Sequence, residues 1–437
     1  MRTAAADKTM TYRELFRRTR ESEPAWTRYA ARREDALDRL VRDGLDVRGR
    51  EDWVHGDPGA LAGGEALPRH GAVASLQAAV LPSLAESHLL VFVDGVFAPD
   101  VSRLGDLPDG VVLRSLAAVD ETDALGAVLG DDTTGFAALN DVFWRDGLLL
   151  DVPAGVTVGR PVELVFVHGP DSGAGVVPVR NVVRVGDRAV VTLVERFAPG
   201  RAGIAEQPLT EIVCGAGARV DHVKLVVGEA AGEHAGATHV RQDADSAYRS
   251  WEFATGGARV RRELALELAG SGAACVLNAL YMGDDDQRFD MRTRVHHAAP
   301  GCRTEELYKG ILDGRSRGVF DGQILVARDS QQTDAHQTNR NLLLSDDAVM
   351  NSIPRLEIYA DDVKCSHGST TGQIEENELF YLQARGFSLE EARTWLAWAF
   401  ASEVIDAVPV PALREELAAI VTRSLHAVDT SLLGGRG

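Results

Sequence analysis

Hydrophobic positions follow two different periods along the chain. Over residues 10–44 they recur every three or four positions, with Tyr29, Ala30, Leu37, Leu40 and Val41 on one side and Gly44 at the end. That spacing predicts a helix. Residues 45–75 are rich in Gly and Pro and read as a loop. Residues 88–98 (HLLVFVDGVFA) place Asp94-Gly95 between two β-branched and aromatic runs, the signal of a two-residue hairpin. Residues 117–146 are mixed, with a helix around Phe136–Trp144.

From 147 to 373 the period falls to two. The clearest run is Arg262–Leu268, with Leu264, Leu266 and Leu268 on one face and Glu263, Ala265 and Glu267 on the other. Ala189–Glu195 and Arg219–Val227 alternate in the same way. Turn clusters such as Gly186-Asp187, Gly215–Gly217, Gly270–Gly272, Pro300-Gly301 and Asp313-Gly314 recur at steps of roughly 14–16 residues or twice that, with the interval from Gly215 to Gly256 as a misfit. A two-faced β-solenoid gives this rhythm, each coil being strand, turn, return strand and turn. A β-sandwich would also alternate, with turns every ~8–12 residues. The longer steps and the high Gly content favour the solenoid.

After Gly372 the helical period returns. Glu376–Arg385 reads as a short helix closed by Gly386, and Ser388–Glu391 as a capping box. The helix it opens carries Ala392, Trp395, Leu396, Ala399 and Phe400 on one side and ends at Pro409 and Pro411; Leu413, Leu417, Ile420 and Val421 mark a last helix. The chain therefore divides into a mostly helical segment with a hairpin (1–146), a β core (147–373) and a C-terminal helical domain (374–437).

The 437 residues carry a formal charge of −19, which argues against a general nucleic-acid partner, because phosphate binding needs a basic surface. Hydrophobic residues make up 45%, enough to exclude a disordered chain. No run of about 18 apolar residues is present, so no membrane span is expected. The N-terminus has no apolar core of the signal-peptide kind. Cys214, Cys275, Cys302 and Cys365 are too far apart for a Cys-x-x-Cys site, and so few cysteines in so long a chain suit a reducing, cytoplasmic compartment.

Enzyme signatures are missing: no P-loop, no G-x-G-x-x-G between strand and helix, no G-x-S-x-G and no H-E-x-x-H. His297 shares parity with Met291 and Val295 and reads as a core histidine, and His296 as solvated. Asp284–Asp286 reads as a solvated turn. Gln331, Asp334, His336 and Asn339 read as a turn ladder. One pair stands apart. In DDVKCSHGST, Val363, Cys365 and His367 share one face of a strand. A thiolate and an imidazole together suit a soft or borderline metal such as iron or zinc, but two ligands do not close a site; a metal would need further ligands, with a second chain as the favoured source. The competing reading is that Cys365 is a small buried hydrophobe.

The stretch from TDAHQTNRN through DVKCSHGSTTG to ELFYLQARGFSLEEARTWL resembles the SufB/SufD family of iron–sulfur cluster assembly proteins, and its SufD branch in particular. HLLVFVDGVFAPDVSRL and FAALNDVFWRDGLLLDVPAGVTV carry the same resemblance, which covers residues 88–405. It implies a right-handed parallel β-helix flanked by N- and C-terminal α-helical domains. It implies a non-catalytic scaffold subunit that pairs with SufB through the β-helix and binds the ATPase SufC through helices 376–421, with a homodimer possible for the isolated chain. The family's functional Cys and His fall on Cys365 and His367, as a metal or cluster site shared with SufB. No cofactor is then held stably by the chain alone, and the iron–sulfur cluster is transient. Residues 374–420 hold nine acidic and three basic side chains, with Trp395, Trp398 and Phe400 interleaved as the expected SufC contacts. The family's early W-x-Y-T-like element is only partly matched, by Trp53-Val54-His55-Gly56. Two other functions are weighed: a SufB-like scaffold acting as a homodimer, which needs several convergent thiolates, and a solenoid carbohydrate-active enzyme, which needs paired carboxylates on an exposed face.

Overall fold

The structure is a computed structural model and describes residues 12–21, 29–45, 82–120, 123–129, 135–169, 172–229 and 231–425. The predicted loop beyond Leu45, the Trp53–Gly56 element and the last twelve residues lie outside these.

Among the described residues nineteen strands follow one another in a two-sided winding. One sheet contains β1 (His88–Val93), β2 (Val96–Phe97), β5 (Val162–Val167), β7 (Val190–Phe197), β9 (Arg219–Val226), β11 (Ala247–Ala254), β13 (Ala274–Gly283), β15 (Arg303–Leu312), β17 (Thr333–Leu343) and β19 (Val363–Gly372). The other contains β3 (Val112–Ser115), β4 (Leu148–Val152), β6 (Gly175–Val185), β8 (Ile204–Cys214), β10 (Glu233–Gln242), β12 (Arg259–Leu268), β14 (Arg288–His297), β16 (Arg317–Val326) and β18 (Val349–Ile358). From β4 onward successive strands alternate between the sheets, and neighbours within a sheet run parallel; β1–β2 and β3–β4 are antiparallel pairs, each within one sheet. Arg259 pairs with Arg288, and Arg288 with Arg317, so these coils are 29 residues long, while the pairings Glu233 with Arg259 and Arg317 with Val349 show that others are shorter or longer. This is the β-solenoid, and the parallel pairing excludes the sandwich.

The lumen is filled by in-register rows, because a parallel stack places equivalent side chains ~4.8 Å apart. Phe92, Phe166 and Phe197 stack with ring centroids 5.0 and 4.7 Å apart. Leu264, Leu266 and Leu268 are buried in the same core, with Glu263 and Glu267 on the outer face. Asp94-Gly95 makes the predicted hairpin with both residues at positive φ, which Gly adopts without steric cost and which Asp tolerates. β1 also pairs with β5, so the hairpin begins the solenoid wall.

The lumen also contains charge. Glu195, Lys224 and Glu252 occupy one row of β7, β9 and β11 and are fully buried. Lys224 Nζ lies 2.6 Å from Glu195, Arg262 donates to Glu252 at 2.9 Å, and His222 contacts both Glu195 and Tyr248. Each charge has an opposite partner, as burial requires.

Helices cover the outer faces. The single helix predicted for 10–44 is interrupted: α1 (12–21) and α2 (Ala30–Asp43) are separate, because Tyr29 takes a left-handed φ of 58° as it packs on Trp144. These helices and α3 (Gly135–Phe143) pack on β6 and β8, where Asp141 pairs with buried Arg180 at 3.0 Å. α5 (Leu389–Asp406) and α6 (Pro411–Ser424) cover the other sheet through Val404, Ile405, Leu413, Leu417 and Val421. The capping box at Ser388 and Glu391 is formed. The buried side of α5 differs from the predicted one: Ala392, Ala397, Ala401, Val404 and Ile405 face the sheet, and Ala399 is exposed. α4 (Glu376–Gln383) buries no residue, and Gly386 beyond it has φ 100°.

Candidate functional site at the open end of the solenoid

The winding ends with two unpaired edges. β19 pairs only with β17, and β18 only with β16, among the described residues. Behind them β17 is closed, with Ala335, Gln337, Asn339 and Asn341 buried in the lumen. In register with these four, β19 places Cys365, His367, Ser369 and Thr371. Cys365 is half-buried against the core, and His367 is exposed. The shared face of the two therefore looks along the open mouth of the lumen.

The floor of the mouth is polar and connected. Tyr281 Oη donates to Asn341 Oδ1 at 2.7 Å, and Asn341 Nδ2 donates to Asn339 Oδ1 at 2.7 Å. Ser352 of β18 donates to the same Asn339 oxygen at 2.8 Å, and Ser369 of β19 donates to Ser352 at 2.7 Å. The two edge strands are thus joined across the mouth by hydroxyls, while Met350 and Leu356 supply its apolar side.

Partial burial pushes the Cys365 thiol above its usual range; a hydrogen bond with the Ala335 backbone opposes this, and the Asp334 carboxylate adds to it. Burial thus favours the protonated thiol, and a thiol ligates a metal only once it has lost that proton. Cys365 and His367 are two donors, and no group of three or more His, Cys, Asp or Glu side chains suited to a metal occurs among the described residues. The other three cysteines are buried, and burial raises their thiols, those of Cys214 and Cys275 to about 12. They converge on no common site at the mouth.

The remaining candidates separate. His297 is buried, bonded through Nε2 to Thr304 at 2.9 Å, and burial lowers it to about 4. The Gln331–Asn339 cluster is not a turn ladder: β17 is a strand that sends Asp334 and His336 outward and Asn339 into the lumen, leaving only Gln331 in the turn. His296 is half-buried on the outer sheet face and not fully solvated, and further along the same face Arg292 and Asp290 form a buried ion pair. Trp395, Trp398 and Phe400 are half-buried. Trp398 and Phe400 pack under α5, where the Lys309 ammonium lies 4.4 Å from the Phe400 ring centroid. The aromatics of this region that face outward are Phe380, 72% exposed, and Tyr381, 55% exposed, on α4. They escaped the sequence pattern because an eight-residue helix with no buried side has no periodicity to read.

The chain is thus a parallel β-solenoid with helices on both outer faces and a Cys/His pair on its terminal edge strand. The profile of the SUF system FeS cluster assembly SufBD core domain matches residues 167–400, and that of the SufBD protein N-terminal region matches residues 73–164. The chain belongs to the SufBD family of iron–sulfur cluster assembly proteins. It is 31% identical to an iron–sulfur cluster assembly SufBD family protein of Synechocystis over 88% of this chain and 89% of that one. It is 28% identical to the iron–sulfur cluster assembly protein SufD of Escherichia coli over 91% and 94%, and 33% identical to the chloroplastic protein ABCI7 of Arabidopsis thaliana over 77% and 74%. No described helix is long and apolar enough to cross a membrane.

Proposed function

We propose that the chain is a SufD-type, non-catalytic scaffold subunit of a cytoplasmic SUF assembly complex. The observation that carries this reading is the Cys365/His367 pair on β19, the edge strand at the solenoid mouth. An unpaired parallel edge is a template for another strand. Pairing of the mouth with a SufB chain brings that chain's thiolates to His367 and Cys365 and completes a ligand set that this chain leaves at two. The cluster is cargo built at the junction, and the isolated chain holds no cofactor. The C-terminal helices are the docking surface for SufC, with the exposed aromatics of α4 as its apolar centre. A scaffold acting alone is disfavoured by the burial of the other three cysteines.

The test is co-expression with SufB and SufC from the same genome and purification through a tag on this chain. A complex containing both partners is the expected result. Recovery of the tagged chain alone, folded and without SufB, overturns the reading.

A further inference from the structure

One row of lumen side chains leads directly to the mouth. Leu277, Glu306, Gln337 and His367 occupy equivalent positions on β13, β15, β17 and β19. Glu306 and Gln337 are 3% and 1% exposed. Gln337 Nε2 donates to Glu306 Oε2 at 2.8 Å, so the amide nitrogen is turned back toward the interior. Its Oε1 is buried and has no hydrogen-bond partner among the described residues. A buried amide oxygen left in this state costs about 1–3 kcal/mol, and native interiors rarely leave one. In a stack of in-register side chains, an amide that donates to the rung behind offers its oxygen to the rung ahead. The rung ahead is His367.

We propose that Gln337 is a positioning residue for His367: its Oε1 accepts a ring N–H of His367 and leaves the other ring nitrogen unprotonated and directed into the mouth. This rests on the reading of His367 as a cargo-facing ligand. A neutral imidazole has one donor nitrogen and one acceptor nitrogen, and the hydrogen bond made by the first decides which atom is free for a metal. An amide oxygen suits this role, because it fixes the tautomer without adding charge beside the cluster. Glu306 is the anchor that keeps the amide from turning over. Burial raises its carboxyl to about 7, against the hydrogen bond from Gln337, and both its protonated and its ionised forms retain an oxygen for Gln337 Nε2. The ring of His367 is exposed, and exposed side chains change rotamer in picoseconds to nanoseconds, so reaching the neighbouring rung needs no movement of the backbone.

The experiment is a long-range proton–nitrogen NMR correlation on the full chain carrying 15N-labelled histidine, recorded at a pH where imidazole is neutral. His367 is assigned by the signal that disappears in His367→Ala. The expected result is a single locked tautomer for His367 in the unmodified chain, solvent-averaged nitrogen shifts in Gln337→Leu, and retention of the lock in Glu306→Gln, which keeps an acceptor oxygen. Averaged shifts in the unmodified chain overturn the proposal whether or not Gln337→Leu folds. A lock that survives in a folded Gln337→Leu chain overturns it as well. The readout needs no cargo, so it is independent of cluster assembly by the complex, which tests the reading beneath it.

Discussion

Arg196 and Glu416 form a two-point ion pair, Nη1 to Oε1 at 2.6 Å and Nη2 to Oε2 at 2.8 Å, across 220 residues of sequence. The same guanidinium donates from Nε to buried Glu163 at 2.6 Å. One arginine on β7 therefore fastens α6 to the sheet and neutralises a carboxylate that also accepts from Leu84 N and Ser87 Oγ.

The two partners differ in what their removal exposes. Arg196→Ala leaves Glu163 buried without its cation and is expected to cost about 3–5 kcal/mol. Glu416 is 30% exposed on its side chain, so Glu416→Ala leaves Arg196 with its other partner and is expected to cost about 1 kcal/mol. Urea unfolding measures both, and hydrogen exchange separates them: both variants loosen α6, and only Arg196→Ala also loosens the segment at Leu84–Ser87. Equal costs would show that Glu163 does not depend on this arginine.

A second prediction concerns pH. His168 lies between Asp94, 3.2 Å from Nδ1, and Glu206, 2.9 Å from Nε2. Burial lowers its pKa, but the two carboxylates more than offset this and raise it to about 9. The folded value is above the unfolded value of about 6.5, so the stabilisation is complete below that pH and is lost as pH rises from there through about 9. The difference in unfolding free energy between the unmodified chain and His168→Gln should shrink across that window. Urea midpoints of both at pH 6, 7.5 and 9 measure it, and a constant difference contradicts the ion triad. His234, which shares Glu206, is pushed the other way by burial, and this background is common to both proteins.

Parity along a single strand was enough to put Leu264, Leu266 and Leu268 inside and Cys365 with His367 on one face. Relationships between coils were not legible, because they depend on a register a full coil away, and the coils differ in length: Glu195 pairs with Lys224, Lys224 with Glu252, and Gln337 with His367. The misfit interval from Gly215 to Gly256 has a plain cause. It contains the turn Asp243–Ser246, where Asp245 takes the left-handed φ of 57° that a glycine search expects Gly to hold. The phase error in α5 has another. The helix is apolar nearly all round between Trp395 and Ala401, so its pattern does not reveal which side meets the sheet.

The C-terminal helices give a third prediction. Trp398 and Phe400 belong to the cluster under α5, so Phe400→Ala removes packing and is expected to destabilise the chain by about 2–4 kcal/mol. Phe380 and Tyr381 touch solvent, so Phe380→Ala with Tyr381→Ala should leave the unfolding midpoint within about 0.5 kcal/mol of the unmodified value. The same double variant should weaken SufC binding at least tenfold, because exposed aromatics concentrate interface energy. Calorimetry against purified SufC checks this, and unchanged affinity moves the docking surface away from α4.

The last prediction separates the two residues at the mouth. His367 is exposed and contributes little to the core, so His367→Ala should leave the stability of the chain within about 0.5 kcal/mol of the unmodified value. If His367 is the cargo-facing ligand proposed above, the same substitution in the complex with SufB and SufC should reduce cluster formation at least tenfold, because one imidazole donor is lost. Cys365 differs, being half-buried against the core with its thiol raised. Cys365→Ser preserves shape but exchanges a polarizable sulfur for a hard hydroxyl. It should give a smaller loss if the thiol is a supporting ligand, and no loss if Cys365 only packs. Iron and sulfide incorporation into the purified complex reads both, with sizing chromatography establishing that SufB remains attached. Cluster assembly at the unmodified rate by an intact His367→Ala complex would make His367 a surface residue and remove the mouth from the assembly site.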